Sequence, residues 1–305
     1  MSSAGPAAIV VPCASRKRVT PHASARALSL SRSSQSALED AWIERLSGLP
    51  HQMPAKQLYM GRGFALGASA ATSSGARLYV ISAGLGLVDA DRSVPSYGVT
   101  VGPHGADAIR ARSIDAFDPQ SWWTAVRSSA FSIDWTEAFS GEGPVLIALT
   151  RAYAEMILGD LIALPDAHKE RLRLFGLALP AILPSDLAQS VMPYDERLDR
   201  ILRGTRTDFA QRALSHFAEK VQCGDRRDDR ERVLSILRRH RHPDRIDRPR
   251  MTDADIVAAI SKHLRTEKGI GRILRRLRDV DGVACEQRRF TRLYHQAAAL
   301  QGLST

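Results

Sequence analysis

Four short apolar runs, each ended by small, polar or glycine-rich residues, constrain the first two thirds of this chain more than any other feature. They cover residues 7–12 (Ala-Ala-Ile-Val-Val-Pro), 77–83 (Arg-Leu-Tyr-Val-Ile-Ser-Ala), 144–149 (Pro-Val-Leu-Ile-Ala-Leu) and, more weakly, 171–177. Apolar runs of this length without polar alternation read as strands buried on both faces. Helical spacing is predicted between them: at 35–47 from Leu38, Trp42, Ile43 and Leu46, around 59–72 despite Gly61, Gly63 and Gly67, from about 151 to 164 behind Thr150 as cap, and at 205–221 from Phe209, Ala213, Leu214 and Phe217. Strands alternating with helices favour α/β architecture: a three-layer α/β/α sandwich around a mostly parallel sheet. Ligands of such sheets sit outside the carboxyl ends of the strands. The loops at 12–17, 82–91 and 149–153 are therefore expected to share one rim, with the Ser-, Ala- and Arg-rich stretch 18–34 a mobile loop near by.

Charge divides the chain. The 305 residues carry a formal +10, and residues 222–305 hold 20 Lys+Arg against 12 Asp+Glu, a net +8. Helices are predicted there at about 228–240, 252–263, 269–279 and 288–300, separated by the segment of Pro243 and Pro249, by Gly269 and by Asp281-Gly282. The expected organisation is an α/β domain over 1–221 and a small basic helical domain, of winged-helix or helix-turn-helix type, over 222–305. Such a charge excess is the footprint of a module that binds a polyanion, and nucleic acid is the preferred partner. The competing account is a solvated helical face partly neutralised by Asp225, Asp228, Asp229 and Glu231.

Other classes are excluded in turn. No apolar run reaches the roughly 18 to 20 residues of a membrane span, and no basic leader precedes the first apolar stretch, so the expected location is cytoplasmic. Cys13, Cys223 and Cys285 lie too far apart for a disulfide framework or a Cys-x-x-Cys zinc site. His240 and His242 stand among arginines without Cys or carboxylate partners, so no metal is expected. Gly84 and Gly86 lack the third glycine of a dinucleotide fingerprint, and no phosphate-loop signature occurs, so no organic cofactor is expected either.

The residues at the first strand ends carry a resemblance. Val10-Val11-Pro12-Cys13-Ala14-Ser15-Arg16-Lys17, Leu58-Tyr59, Ile81-Ser82-Ala83-Gly84-Leu85-Gly86-Leu87-Val88 and Val94-Pro95-Ser96-Tyr97 resemble a bacterial branch of the uracil-DNA glycosylase-like superfamily. The signatures are similar to those of peroxide-stress proteins and of the partner domain of archaeosine synthases, over about residues 7–100. The resemblance implies an α/β/α sandwich with a nucleobase pocket. It also implies excision of a bulky modified base, such as the glucosylated hydroxymethylcytosine of phage DNA, in anti-phage defence. The Gly-x-Asp-Pro-Tyr motif of uracil-removing enzymes is absent, and Pro12-Cys13-Ala14-Ser15 stands in its place.

Cleaving an N-glycosidic bond requires a flipped nucleotide, a group that stabilises the cationic sugar or orients water, and donors for the departing base. Asp89, and after it Asp91, are the expected catalytic carboxylates; the alternative is that both simply structure a solvated loop. Pro12, Cys13, Tyr59, Ser82, Gly84 and Tyr97 are expected to form the base pocket, with packing as the main alternative for Cys13 and for both tyrosines. Ser15, Arg16, Lys17, Thr150, Arg151 and Tyr153 are expected to hold phosphate, joined by Arg272, Arg275, Arg276 and Arg289 of the basic domain. Nothing in sequence around Lys17 argues for the lowered pKa that a Schiff-base role needs. Three functions remain in view: a DNA glycosylase, a non-catalytic DNA-binding stress or regulatory protein, and base exchange on tRNA.

Overall fold

The computed structural model describes residues 5–50, 52–221, 223–243, 251–264, 266–267, 269–283 and 285–302, so Pro249 lies outside the described residues. The four apolar runs become β1 (Ala8–Pro12), β2 (Arg77–Ser82), β4 (Val145–Ala148) and β5 (Leu172–Phe175), and a strand not foreseen, β3 (Gly86–Asp89), joins them. The sheet order is β3-β2-β1-β4-β5. β1 pairs in parallel with β2 (Ala8 opposite Arg77) and with β4 (Ala8 opposite Val145), and β4 pairs in parallel with β5. Every residue of β1, β4 and β5 is buried, which is why β1 and β4 show no polar alternation; β5 alone of the three sets a charged residue, Arg173, among its apolar ones.

The principal helices are α1 (Gln35–Ser47), α2 (Arg62–Ser74), α3 (Pro119–Arg127), α4 (Arg151–Ala163), α5 (Phe209–Lys220) and α6 (Arg226–Arg238) in the first compact unit. Helices α2 and α5 pack on each other and on the sheet, while α3 packs against α1 and α4. Gly67 lets α2 lie directly on β1, since a Cβ there would stand 2.4 Å from Val11 Cγ1. Local chemistry fixes the ends. Asp118 caps α3 with Pro119 at its first position, and Gly75, in the left-handed region at φ 70°, closes α2.

The segment 18–34 is not a free loop. It folds into two single turns whose Ala25, Ala27 and Leu30 are buried, and Ala27 N–H and Gly98 N–H pair it to the chain near Tyr97. Small residues made it read as mobile, but those residues allow close packing.

The compact units divide at 243/244, not after 221. The reason is a buried ion pair. Arg173 sits inside β5, its guanidinium 2.6 Å from Asp229 of α6, with side chains 3% and 0% exposed. Val233 and Leu237 of α6 also join the main core. The second unit contains α7 (Asp253–His263), α8 (Ile270–Asp279) and α9 (Gln287–Leu300), closed around Ile256, Ile260, Ile273, Leu277, Phe290 and Leu293. Thr252 and Asp255 form a capping box at the start of α7. No helix among the described residues is long and apolar enough to cross a membrane.

Removing one partner of a buried pair leaves the other charge desolvated. Asp229→Ala is therefore expected to destabilise the first unit by about 3–5 kcal/mol, read by urea unfolding; a loss below about 1 kcal/mol would show that α6 is not anchored through this pair.

Candidate functional site

Among the parallel strands, β1 is flanked by the next strand in the chain, β2, on one side and by β4 on the other. The connection reverses direction between β1 and β4, and open sheets of this kind take their ligands in the crevice outside the strand carboxyl ends at such a point. The residues just beyond these ends meet in it. Cys13, directly after β1, places its Sγ 3.1 Å from the Tyr153 hydroxyl in the first turn of α4. Residue 17 returns alongside residue 59 as an isolated antiparallel bridge, and Lys17 Nζ stands 4.2 Å from the Tyr97 ring centre and 5.6 Å from that of Tyr59. Its one hydrogen bond among the described residues is to the Ala14 carbonyl, at 3.2 Å.

Below the amine lies a closed set of hydroxyls. Ser82 Oγ is 2.5 Å from Tyr97 Oη, Tyr97 Oη is 3.0 Å from Tyr59 Oη, and Tyr59 donates to Ser82 Oγ at 3.4 Å. Ser82 Oγ also accepts from Leu85 N–H at 3.0 Å. Both tyrosine rings are buried. They are a floor supporting Lys17, not exposed plates for a base, which is the packing alternative for both tyrosines. Pro12 and Gly84 are buried in the same floor; a Cβ on Gly84 would come within 2.7 Å of the Tyr97 ring. The surface-facing members of the cluster are Cys13, Lys17 and Tyr153, with Ser15 and Arg16 exposed beside them.

The electrostatics follow from burial. Desolvation lowers the Lys17 pKa from its ordinary 10.5, against the opposing pull of Cys13 and Asp107. Asp107 is held in a two-point pair with Arg26 at 2.7 and 3.1 Å. Burial, reinforced by the neighbouring Cys13, raises the Tyr59, Tyr97 and Tyr153 hydroxyls above the ordinary tyrosine value, so all three stay protonated where Lys17 begins to lose its proton. The cluster presents an amine that is neutral more often than a surface lysine. The sequence carried no sign of this, because the desolvating groups come from Tyr59 and Tyr97, far along the chain.

The expected carboxylates are elsewhere. Residues 82–91 do not form one loop: a turn at 83–85 sends the chain back antiparallel to β2, so Asp89 lies opposite Tyr79, near the amino end of β2. There Asp89 pairs with Arg77 at 2.8 Å and accepts the Asp91 N–H, and Asp91 pairs with Lys56. Both belong to the opposite end of the sheet from Lys17, which removes them as partners of the cluster.

The expected phosphate contacts divide. Thr150 makes no side-chain cap bond on α4, and with Arg151, Gly176, Arg206 and Thr207 it lines a cleft of about 170 Å³ at the ends of β4 and β5. Arg151 is paired with Glu155 at 2.8 Å, and Tyr153 is turned to Cys13. In the second unit Arg272 and Arg275 are exposed and in no ion pair among the described residues. Arg276 pairs with Glu267 at 2.8 Å, and Arg289 bonds Asp253 and the Met251 carbonyl, which makes Arg289 a clamp on the start of α7. Among the described residues no group of three or more His, Cys, Asp and Glu side chains is arranged to hold a metal ion. Comparison with protein-family models, with curated proteins and with solved structures gave no match.

A folded-state pKa below the unfolded value means that the unfolded chain binds the proton more tightly, so stability rises with pH between the two values. The wild type is expected to gain stability relative to Lys17→Met as pH climbs toward 10.5. Paired denaturant titrations at several pH values check this, and parallel curves would refute the desolvated amine.

Proposed function

We propose that this protein is a DNA glycosylase that draws one flipped, modified base into the crevice at the carboxyl ends of β1 and β4, and that Lys17 is its reactive group. The observation that carries the reading is the desolvated amine held over Tyr59 and Tyr97 beyond the carboxyl ends of β1 and β2, with no carboxylate in ion-pair contact with it among the described residues. Lysine amines act as nucleophiles once burial lowers their pKa. The two helical faces are read as the outer layers of an α/β/α sandwich, and the second unit as a helix-turn-helix-type module in a cytoplasmic protein.

In this scheme the neutral Lys17 nitrogen attacks C1′ of the sugar, forming a C–N bond. The N-glycosidic bond breaks with its electron pair going to the base, which takes up a proton from the newly formed ammonium. The Lys17 nitrogen lone pair then expels O4′ from C1′, and O4′ takes a proton from water; this ring opening gives a protonated imine, whose hydrolysis returns the amine and leaves an abasic site. The rings of Tyr59 and Tyr97, locked by their hydroxyls to each other and to Ser82, seat Lys17, while Cys13 and Tyr153 face the bound nucleotide. Arg272, Arg275 and Arg276 supply phosphate contacts from the second unit, where 13 Lys+Arg against 8 Asp+Glu over residues 244–305, a net +5, favour a polyanion. A bulky modified cytosine remains the proposed substrate, and defence against phage the proposed setting.

A second reading is favoured by the same lack of a carboxylate: a DNA-binding protein that recognises a base without cutting. Incubation with duplexes carrying modified cytosines separates the two. Excision predicts free base, alkali-labile sites and, with borohydride, a protein–DNA adduct that disappears in Lys17→Met. Intact substrates on bound DNA would leave recognition alone.

A further inference from the structure

At the other end of the sheet, before β4 and β5 begin, lies a groove of about 790 Å³ walled by Pro144, Leu234 and a group of arginines from β5's approach and from α6. Three of these, Arg171, Arg226 and Arg230, are half-buried and have no carboxylate within ion-pair distance among the described residues. Their partners are neutral. Arg171 donates to the carbonyls of Phe139, Gly141 and Gly143; Arg226 to the Lys169 carbonyl, Ser190 Oγ and Gln189 Oε1; Arg230 to the carbonyls of Gln189 and Val191. A guanidinium has five N–H donors, so each keeps some unspent.

The acidic side chains of the lining do not neutralise them. Glu231 faces Arg227 at 3.5 Å, Asp225 caps α6 through Asp228 N–H, and Glu170 is exposed and in no ion pair among the described residues. Arg173, also in the wall, is matched by Asp229. Burial and the neighbouring charge of Arg226 lower the pKa of Arg230, the signature of cations gathered without an anion.

We propose that this groove binds a small oligophosphate, of the pyrophosphate or nucleoside triphosphate class, through Arg171, Arg226 and Arg230. Guanidiniums pre-positioned on carbonyls offer forked donors to phosphate oxygens with little further ordering. The volume suits a small molecule, within the roughly 300–1,000 Å³ of such sites. Its place at the amino ends of the strands, away from Lys17, makes it a site separate from the proposed base crevice and independent of that reading.

Calorimetric titration of the full chain with pyrophosphate, and separately with a nucleoside triphosphate, tests this at constant ionic strength. One saturable site is expected, weakened about tenfold or more by Arg226→Gln, as loss of a charged hydrogen bond predicts. Leu234→Glu, which adds a negative charge and removes no polar contact, is expected to abolish binding, while Lys17→Met leaves it unchanged. Absence of saturable binding by the wild type, or equal binding by Arg226→Gln and a folded Leu234→Glu, overturns the proposal. Displacement by single-stranded oligonucleotides with affinity growing with their length also overturns it, assigning the groove to a nucleic-acid backbone.

Discussion

Three consecutive buried carbonyls at residues 83–85 set the geometry of the first unit. Backbone acceptors taken from water must find donors, and this turn finds them in side chains from different parts of the chain. Trp122 Nε1 donates to Ala83, Trp42 Nε1 to Gly84 and Ser129 Oγ to Leu85, at 2.7 to 2.8 Å. Ser82 Oγ receives the Leu85 N–H from within the turn. The turn therefore ties α1, α3 and the carboxyl end of β2 together. It also fixes Ser82, and through Ser82 the hydroxyls of Tyr59 and Tyr97 and the seat of Lys17.

The same turn explains what the sequence disclosed and what it concealed. Apolar runs buried on both faces announce themselves, which is why β1, β2, β4 and β5 and most of the long helices were legible. The Gly84-Leu85-Gly86 stretch looked like an open loop because glycines signal freedom. Here Gly86, at φ 86°, turns the chain into a hairpin instead, leaving no room for a side chain where Ser132 approaches. That reversal carried Asp89 to the wrong end of the sheet for the role its place in sequence implied.

Cys13, Ser82, Tyr59, Tyr97 and Tyr153 do converge, as expected from strand ends sharing one rim. Their division into floor and surface was hidden, because burial depends on partners from other strands and loops. Lys17 and the groove arginines were hidden for the same reason: a basic residue in sequence carries no record of whether its neighbours in space are carbonyls, aromatic rings or carboxylates. The domain boundary failed similarly, since α6 has a solvated composition but one aspartate wholly inside.

The pairing of Arg173 with Asp229 has a consequence for synthesis on the ribosome. β5 carries a cation into the interior, and its counter-charge is encoded 56 residues later. An edge strand emerging from the exit tunnel thus holds a charge that is costly to dehydrate until α6 and its aspartate have been translated.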